Sequence, residues 1–249
     1  MDSSPQSAYA KPLSATCPDP IERGWLRNDW HELTFLHWPY DPAVVQALLP
    51  DGLTVDTFDD QAWVSLVPFH MRRAGPTRLS SIPYISSFWE TNVRTYVIDS
   101  HGNRAVWFLS LDCVRLPVVA FARWTIGFPY FWAPMSVQID TPRRRYVTER
   151  RRWPRRPAAS TVVTVDVGEQ IEPTELDVFL TARWGTVAES FGRLWFHPVD
   201  HEPWTLHEAQ LIELTDTAMT APGLPTPSGD PIVRWAQPVH ARFARPVRV

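Results

Sequence analysis

Glu90-Thr91-Asn92-Val93-Arg94-Thr95-Tyr96 is the stretch whose reading decides the fold. Its threonines, valine and tyrosine, and the apolar continuation to Ile98, read as a β-strand. Side chains on a strand alternate between faces. One face then carries Glu90, Asn92, Arg94 and Tyr96, and the other carries Trp89, Thr91, Val93 and Thr95. An acid, an amide, a guanidinium and a phenol in one row are costly to bury unless they pair with one another or with a ligand. The row suits the wall of a cavity. It also suits the solvent-facing side of an antiparallel sheet, and the pattern alone leaves both open.

Working outward, residues 1–20 read as a disordered leader and residues 21–249 as one domain. Residues 30–38 read as a strand, and 42–49 as a short helix with Asp41 as N-cap and Pro42 in its first position. Residues 53–58 and 62–69 form a hairpin turning at Asp59-Asp60, followed by a loop over 72–87. Residues 105–111 return beside the Glu90 strand. Asp112 is placed to cap a helix over 114–126, which Gly127-Phe128-Pro129 stops. Strands follow at 130–139, 143–152 and 161–167, then a helix at 173–184. Further strands read at 193–197, 206–214 and 239–243. Many short strands with two or three short helices predict a mainly β (α+β) domain, closed or sandwiched.

Composition narrows the function. The chain has 249 residues, 44% hydrophobic, with 13 Trp and 12 Phe, enough for a sizeable core. Its 25 prolines disfavour long helices. A net charge of −3 argues against bulk nucleic-acid affinity. Two cysteines, Cys17 and Cys113, give no disulfide framework. No basic-then-apolar leader and no run of 18 apolar residues occurs, so a soluble cytoplasmic protein with no membrane partner is expected. One lysine, Lys11, stands against 23 arginines. Arginine stays protonated and forms no imine, and Lys11 lies in a Ser/Pro/Ala-rich tail, so imine catalysis is disfavoured.

Leu111-Asp112, a short helix, then Gly127-Phe128-Pro129-Tyr130-Phe131 resembles the corresponding stretch of the acetoacetate decarboxylase-like superfamily. There the pattern is Gly-Phe-Pro-Lys-Lys, with the first lysine forming the imine. Glu90 sits where that family places an active-site glutamate. Phe35-Leu36-His37-Trp38, Glu90 to Val97 and His201-Glu202-Pro203-Trp204-Thr205-Leu206 resemble an uncharacterised bacterial branch on the same fold. The resemblance spans residues 28–246 and implies a closed β-barrel or double sheet around an internal, largely apolar pocket. Tyr130 and Phe131 stand in place of the two lysines. The chain is therefore not expected to decarboxylate acetoacetate through an imine.

The remaining chemistry is acid–base. Glu90, if shielded, has a raised pKa and can act as general acid or base. Arg94 can clamp a carboxylate or polarise a carbonyl. Tyr130 or Tyr96 can donate to a developing oxyanion. Glu90, Arg94 and Tyr130 are the candidate catalytic residues. His37, Asn92, Tyr96, Phe128, Phe131 and His201 are the candidate substrate contacts. Glu90 and Arg94 can also be structural partners of other strands, and His37 a satisfied core histidine.

The expected partner is a small, partly hydrophobic carbonyl or carboxylic metabolite, either transformed (isomerase, cyclase, dehydratase or lyase type) or only bound. Homo-oligomer formation stays open. No cofactor is implied, because none of the 10 glycines falls in a phosphate-loop spacing. His197, Asp200, His201 and His207 cluster, but Pro198 and Pro203 forbid the helix that ligand spacing would need, so no metal is expected. Residues 143–156 hold eight arginines and one acid, Glu149, a local +7 that leaves −10 on the remainder. They read as a hairpin whose arginines pair with that acidic remainder, or as a surface for an acidic or nucleic-acid partner.

Overall fold

The computed structural model describes residues 10–150 and 158–249. Among these, seventeen strands and three short helices alternate. The first strands are β1 (Leu26–His31), β2 (Leu33–Tyr40), β3 (Leu53–Val55), β4 (Thr57–Phe58), β5 (Gln61–Pro76), β6 (Phe88–Asp99) and β7 (Arg104–Cys113). Then come β8 (Tyr130–Trp132), β9 (Met135–Asp140), β10 (Arg143–Arg150), β11 (Ala159–Gln170), β12 (Gly185–Ser190) and β13 (Arg193–Asp200). The last are β14 (Leu206–Asp216), β15 (Ile232–Ala236), β16 (Val239–Phe243) and β17 (Val247–Arg248). The helices are α1 (Pro42–Gln46), α2 (Leu116–Thr125) and α3 (Glu175–Thr181).

Strand pairing closes a ring. β5 pairs with β6, β6 with β7, β7 with β12, β12 with β13, β13 with β16, β16 with β1, and β1 with β5. Two of these seams are only two residue pairs long: the parallel one at Thr186↔Val106 and Val187↔Trp107, and the antiparallel one at Val199↔Phe243 and Asp200↔Arg242. The assembly is thus ring-like rather than a regular barrel. A second layer runs β2–β15–β14–β11–β10–β9. The two layers share β5: Ala62–Leu66 pair with β2, and His70–Pro76 pair with β1.

The alternation of β6 decides what goes where. Val93 packs with Val64 and Leu66 against Tyr146, Val163 and Val165 of the second layer. Thr91 meets Thr148 of β10 at 2.9 Å. That face is the inter-layer core, so Glu90, Asn92 and Arg94 turn into the ring.

Several elements differ from the sequence expectation. The strand expected over 30–38 is two, broken at Glu32, whose φ is 51°. Asp112 caps no helix: it lies in β7, and α2 begins at Leu116 after Arg115. β5 runs on into the expected loop. β12 and β15 were not foreseen; one opens on Gly185 and the other lies in the Pro-rich tail, where local signals point to turns. Asp41 does cap α1, accepting from the Ala43 amide at 2.7 Å. Residues 10–20, expected within a loose leader, are tied to the domain. The Lys11 amide donates to the Gly102 carbonyl at 2.9 Å, Trp184 Nε1 donates to the Ser14 carbonyl at 2.9 Å, and Leu13 packs near Phe179. Residues 1–9 lie outside the described residues.

Candidate active site

The ring encloses a cavity of about 700 Å³. Its walls are mostly apolar, with Phe69, Met71, Phe88 and Leu111 from the strands and Val118 and Ile126 from the α2 region. Glu90, Asn92 and Arg94 supply polar groups from one strand face.

Glu90 meets Tyr130 because of a turn. Gly127 has φ +85°, and a Cβ there would run into the Glu189 carbonyl, so only glycine fits. Phe128-Pro129 then delivers Tyr130 to β8, in parallel register with Leu111 of β7. Leu111 is the partner of Asn92, and Cys113 the partner of Glu90. The Tyr130 hydroxyl donates to Glu90 Oε2 at 2.7 Å. Glu90 is only 1% exposed. Burial pushes its pKa up to about 8, against the hydrogen bonds from Tyr130 and Asn92, with a smaller upward push from the charge of Asp112. Burial and then the Glu90 charge push Tyr130 well above its ordinary range. At neutral pH the pair is therefore a carboxylic acid beside a phenol. Cys113 is fully buried, and its thiol is pushed up mainly by burial, which makes it a poor nucleophile.

A second polar region gathers at the end of α3. The last carbonyls of a helix lack intrahelical partners and carry partial negative charge. Here Arg183 Nε donates to the Phe179 carbonyl at 2.8 Å, Arg94 Nη2 to the Leu180 carbonyl at 3.3 Å, and Trp204 Nε1 to the Thr181 carbonyl at 3.0 Å. All three donors line the cavity. Both guanidiniums also lie over the Tyr96 ring, Arg94 at 5.7 Å and Arg183 at 4.7 Å from its centroid. Among the described residues no carboxylate lies in ion-pair range of Arg94.

Of the residues expected from sequence, Glu90, Asn92, Arg94, Phe128, Tyr130 and His201 line the cavity. His201 sits among Trp30, Trp184 and Trp204, with ring centroids at 5.5, 4.6 and 4.7 Å. Its Nδ1 donates to the Glu202 carbonyl at 2.6 Å, and burial lowers its pKa to about 4, so the ring is neutral. Tyr96, His37 and Phe131 are not in the lining. Tyr96 continues the strand face but is sealed beneath the two guanidiniums and Phe179. Its hydroxyl meets Ser65 Oγ at 2.7 Å, which meets His37 Nδ1 at 2.6 Å, a network wholly inside the core. Phe131 lies under Arg150, 3.9 Å from its guanidinium.

The sequence reading missed Arg183 and gave His197 no place in the cavity; both line it. Arg183 had one signal available: it follows directly on an expected helix whose end carbonyls need donors. In the sequence His197 reads only as a candidate metal ligand. Among the described residues no group of three or more His, Cys, Asp or Glu is placed to hold a metal. In the arginine-rich segment, Arg143, Arg144, Arg145 and Arg150 pair with Asp166, Glu32, Glu213 and Asp112 at 2.7, 2.6, 3.5 and 2.6 Å. Arg151, Arg152, Arg155 and Arg156 lie outside the described residues. No described helix is long and apolar enough to cross a membrane.

Comparison with known proteins fits this architecture. An acetoacetate decarboxylase-like enzyme from Sphingomonas wittichii RW1 superposes with a TM-score of 0.62 at 12% identity, covering 91% of this chain and 93% of the other. The enduracididine biosynthesis enzyme MppR, with HEPES buffer bound, gives 0.63 at 14% identity over 100% and 98%. Acetoacetate decarboxylase from Legionella pneumophila gives 0.60 at 12% identity over 94% and 92%. At these identities the likeness shows a shared fold. In sequence, the uncharacterized protein YqjF of Bacillus subtilis (strain 168) is 31% identical over 227 residues, 91% of this chain and 92% of that protein. Residues 27–240 match the model of DUF2071, described as an uncharacterized conserved protein, and the chain belongs to that family on an acetoacetate decarboxylase-like fold.

Proposed function

We propose that this protein transforms a small, partly hydrophobic carbonyl or carboxylic compound by acid–base chemistry, with Glu90 as the proton carrier. The observation that carries the reading is the Glu90–Tyr130 contact inside the apolar cavity. A carboxyl that keeps its proton to about pH 8 is matched to proton transfer near neutrality. When Glu90 gives up that proton, the Tyr130 hydroxyl and the Asn92 amide are in place to stabilise the carboxylate that forms. Arg94 binds a carboxylate or a polarised oxygen of the ligand. An imine route of the kind the decarboxylase-like resemblance implies has no lysine to use: the only one, Lys11, is exposed and tied to Gly102, away from the cavity lining.

The test combines binding with turnover. Wild type and Glu90→Gln are screened by thermal shift against keto acids, enones and aromatic carboxylates, and each stabilising compound is followed by NMR in D₂O. The expected result is a compound that stabilises both proteins but undergoes hydrogen exchange or conversion only with wild type. A compound bound by both and changed by neither would overturn catalysis and leave a binding protein.

A further inference from the structure

The cavity has two polar regions, and the distance between them constrains the ligand. Glu90 and Arg94 lie four residues apart on one strand face, roughly 13 Å at about 3.3 Å per residue. The Arg94 side chain does not close that gap. Its guanidinium leans the other way, over Tyr96 and onto the Leu180 carbonyl, 5.2 Å from the Phe35 ring. Arg183 joins it over the same tyrosine. Between the two regions Asn92 is the one polar group on the β6 face, and the rest of the wall there is apolar, with Val67, Phe69, Phe108 and Leu111 facing the cavity.

The arginine end is short of acceptors. Arg94 Nε and Arg183 Nη2 are buried donors without a hydrogen-bond partner, although both residues line the cavity. Arg183 is only 4% exposed. Its Nη1 meets Asp56 Oδ2 at 2.5 Å, but Arg104 takes the other oxygen of the same carboxylate at 2.5 Å, so two cations share one anion. Arg94 has no carboxylate partner among the described residues. His197 and His201 add no competing anion, and both face the cavity as neutral rings at neutral pH. Orphaned guanidinium donors with surplus positive charge in an apolar enclosure need an oxyanion.

We infer that the ligand is an elongated amphipathic carboxylate, its carboxylate held by Arg94 and Arg183 and its carbon chain lying along β6 toward Glu90. The inference deepens the acid–base reading and rests on it for the reacting end. A three- or four-carbon acid, about 5 Å long at about 1.5 Å per bond, cannot touch both regions. The reacting carbon is therefore several bonds from the carboxylate, and the bound chain replaces water along the apolar wall.

Titration calorimetry on the whole protein tests this with butanoate, hexanoate, octanoate and octanamide. Affinity is expected to rise about threefold to fourfold per added methylene from butanoate to octanoate. Octanoate is expected to bind at least tenfold more tightly than its neutral amide. Arg94→Met is expected to lower octanoate affinity at least fivefold and octanamide affinity by less, so that the preference for the acid shrinks. Equal affinity for octanoate and octanamide, or for butanoate and octanoate, would overturn the inference and leave the Glu90 chemistry standing. Binding of neither octanoate nor octanamide would likewise overturn the inference, whereas the Glu90 reading fails only on the exchange test in D₂O. The acid–amide comparison uses wild type alone, so it decides even where a variant fails to fold.

Discussion

Glu90 and Asp112 are two buried carboxylates on adjacent strands, 1% exposed each, and they have been given opposite company. Asp112 faces the second layer and accepts from Arg150 at 2.6 Å, charge against charge. Glu90 faces the cavity and accepts from Tyr130 at 2.7 Å, a carboxyl against a neutral hydroxyl with no cation paired to it. Burial raises the pKa of both. At Asp112 the hydrogen bond and the charge of Arg150 oppose that rise; at Glu90 only two neutral donors do, and the value reaches about 8. A buried acid with a cation beside it fastens two layers together. One with only neutral donors beside it becomes a group that exchanges its proton near neutral pH.

Removing a charge from each pair separates these roles. Asp112→Asn leaves Arg150 buried without its counter-ion, with Nη2 already unpartnered. The expected loss is roughly 3–5 kcal/mol in denaturant unfolding, and a change under 1 kcal/mol would refute the fastening role. Glu90→Gln acts with the opposite sign. The unfolded chain releases the Glu90 proton near 4.5, whereas the folded chain holds it to about 8. Between those values the folded state binds more protons, so this group's contribution to stability falls as pH rises through the window. The buried histidines, lowered to about 4, slope the other way below about 6.5. The difference between variant and wild type isolates Glu90. That difference is expected to move in favour of Glu90→Gln by roughly 2–4 kcal/mol between pH 5 and pH 8. A flat difference would mean that Glu90 titrates normally.

Finer changes sharpen the contrast. Tyr130→Phe deletes a hydrogen bond that favours the Glu90 carboxylate, so the Glu90 midpoint should rise from about 8 by roughly one pH unit in a carbon-13 NMR titration. A fall would show that Tyr130 favours the protonated form instead. Arg143→Ala breaks an exposed pair with Asp166 and should leave the melting temperature unchanged within error, a surface counterpart to Asp112 and Arg150. A clear drop would mean that surface pairs carry the arginine-rich strand after all.

The Glu90 strand was legible because a period of two is a local property, and an odd row of polar groups on one face stands out in seven residues. The cavity's acid and one of the two guanidiniums over Tyr96 came with it. Tyr130 was legible through the Gly-Phe-Pro resemblance, and its contact with Glu90 needed the β7–β8 register to appear. Arg183 and His197 were not, because they reach the cavity from segments some ninety to a hundred residues away, through a parallel seam of two residue pairs that no local pattern announces. His37 and Tyr96 read as ligand contacts because polarity on a strand suggests a cavity. The Tyr96 hydroxyl and His37 Nδ1 meet through Ser65 in the core instead.

The 16-residue β5 belongs to both layers, its first half bonded to β2 and its second to β1, with β6 along its other edge. Neither layer can detach while this strand stays in place, so the two should unfold as one cooperative unit. The amides of residues 64–71 would then exchange with solvent only through global opening, and the cavity would keep its shape until the whole molecule comes apart.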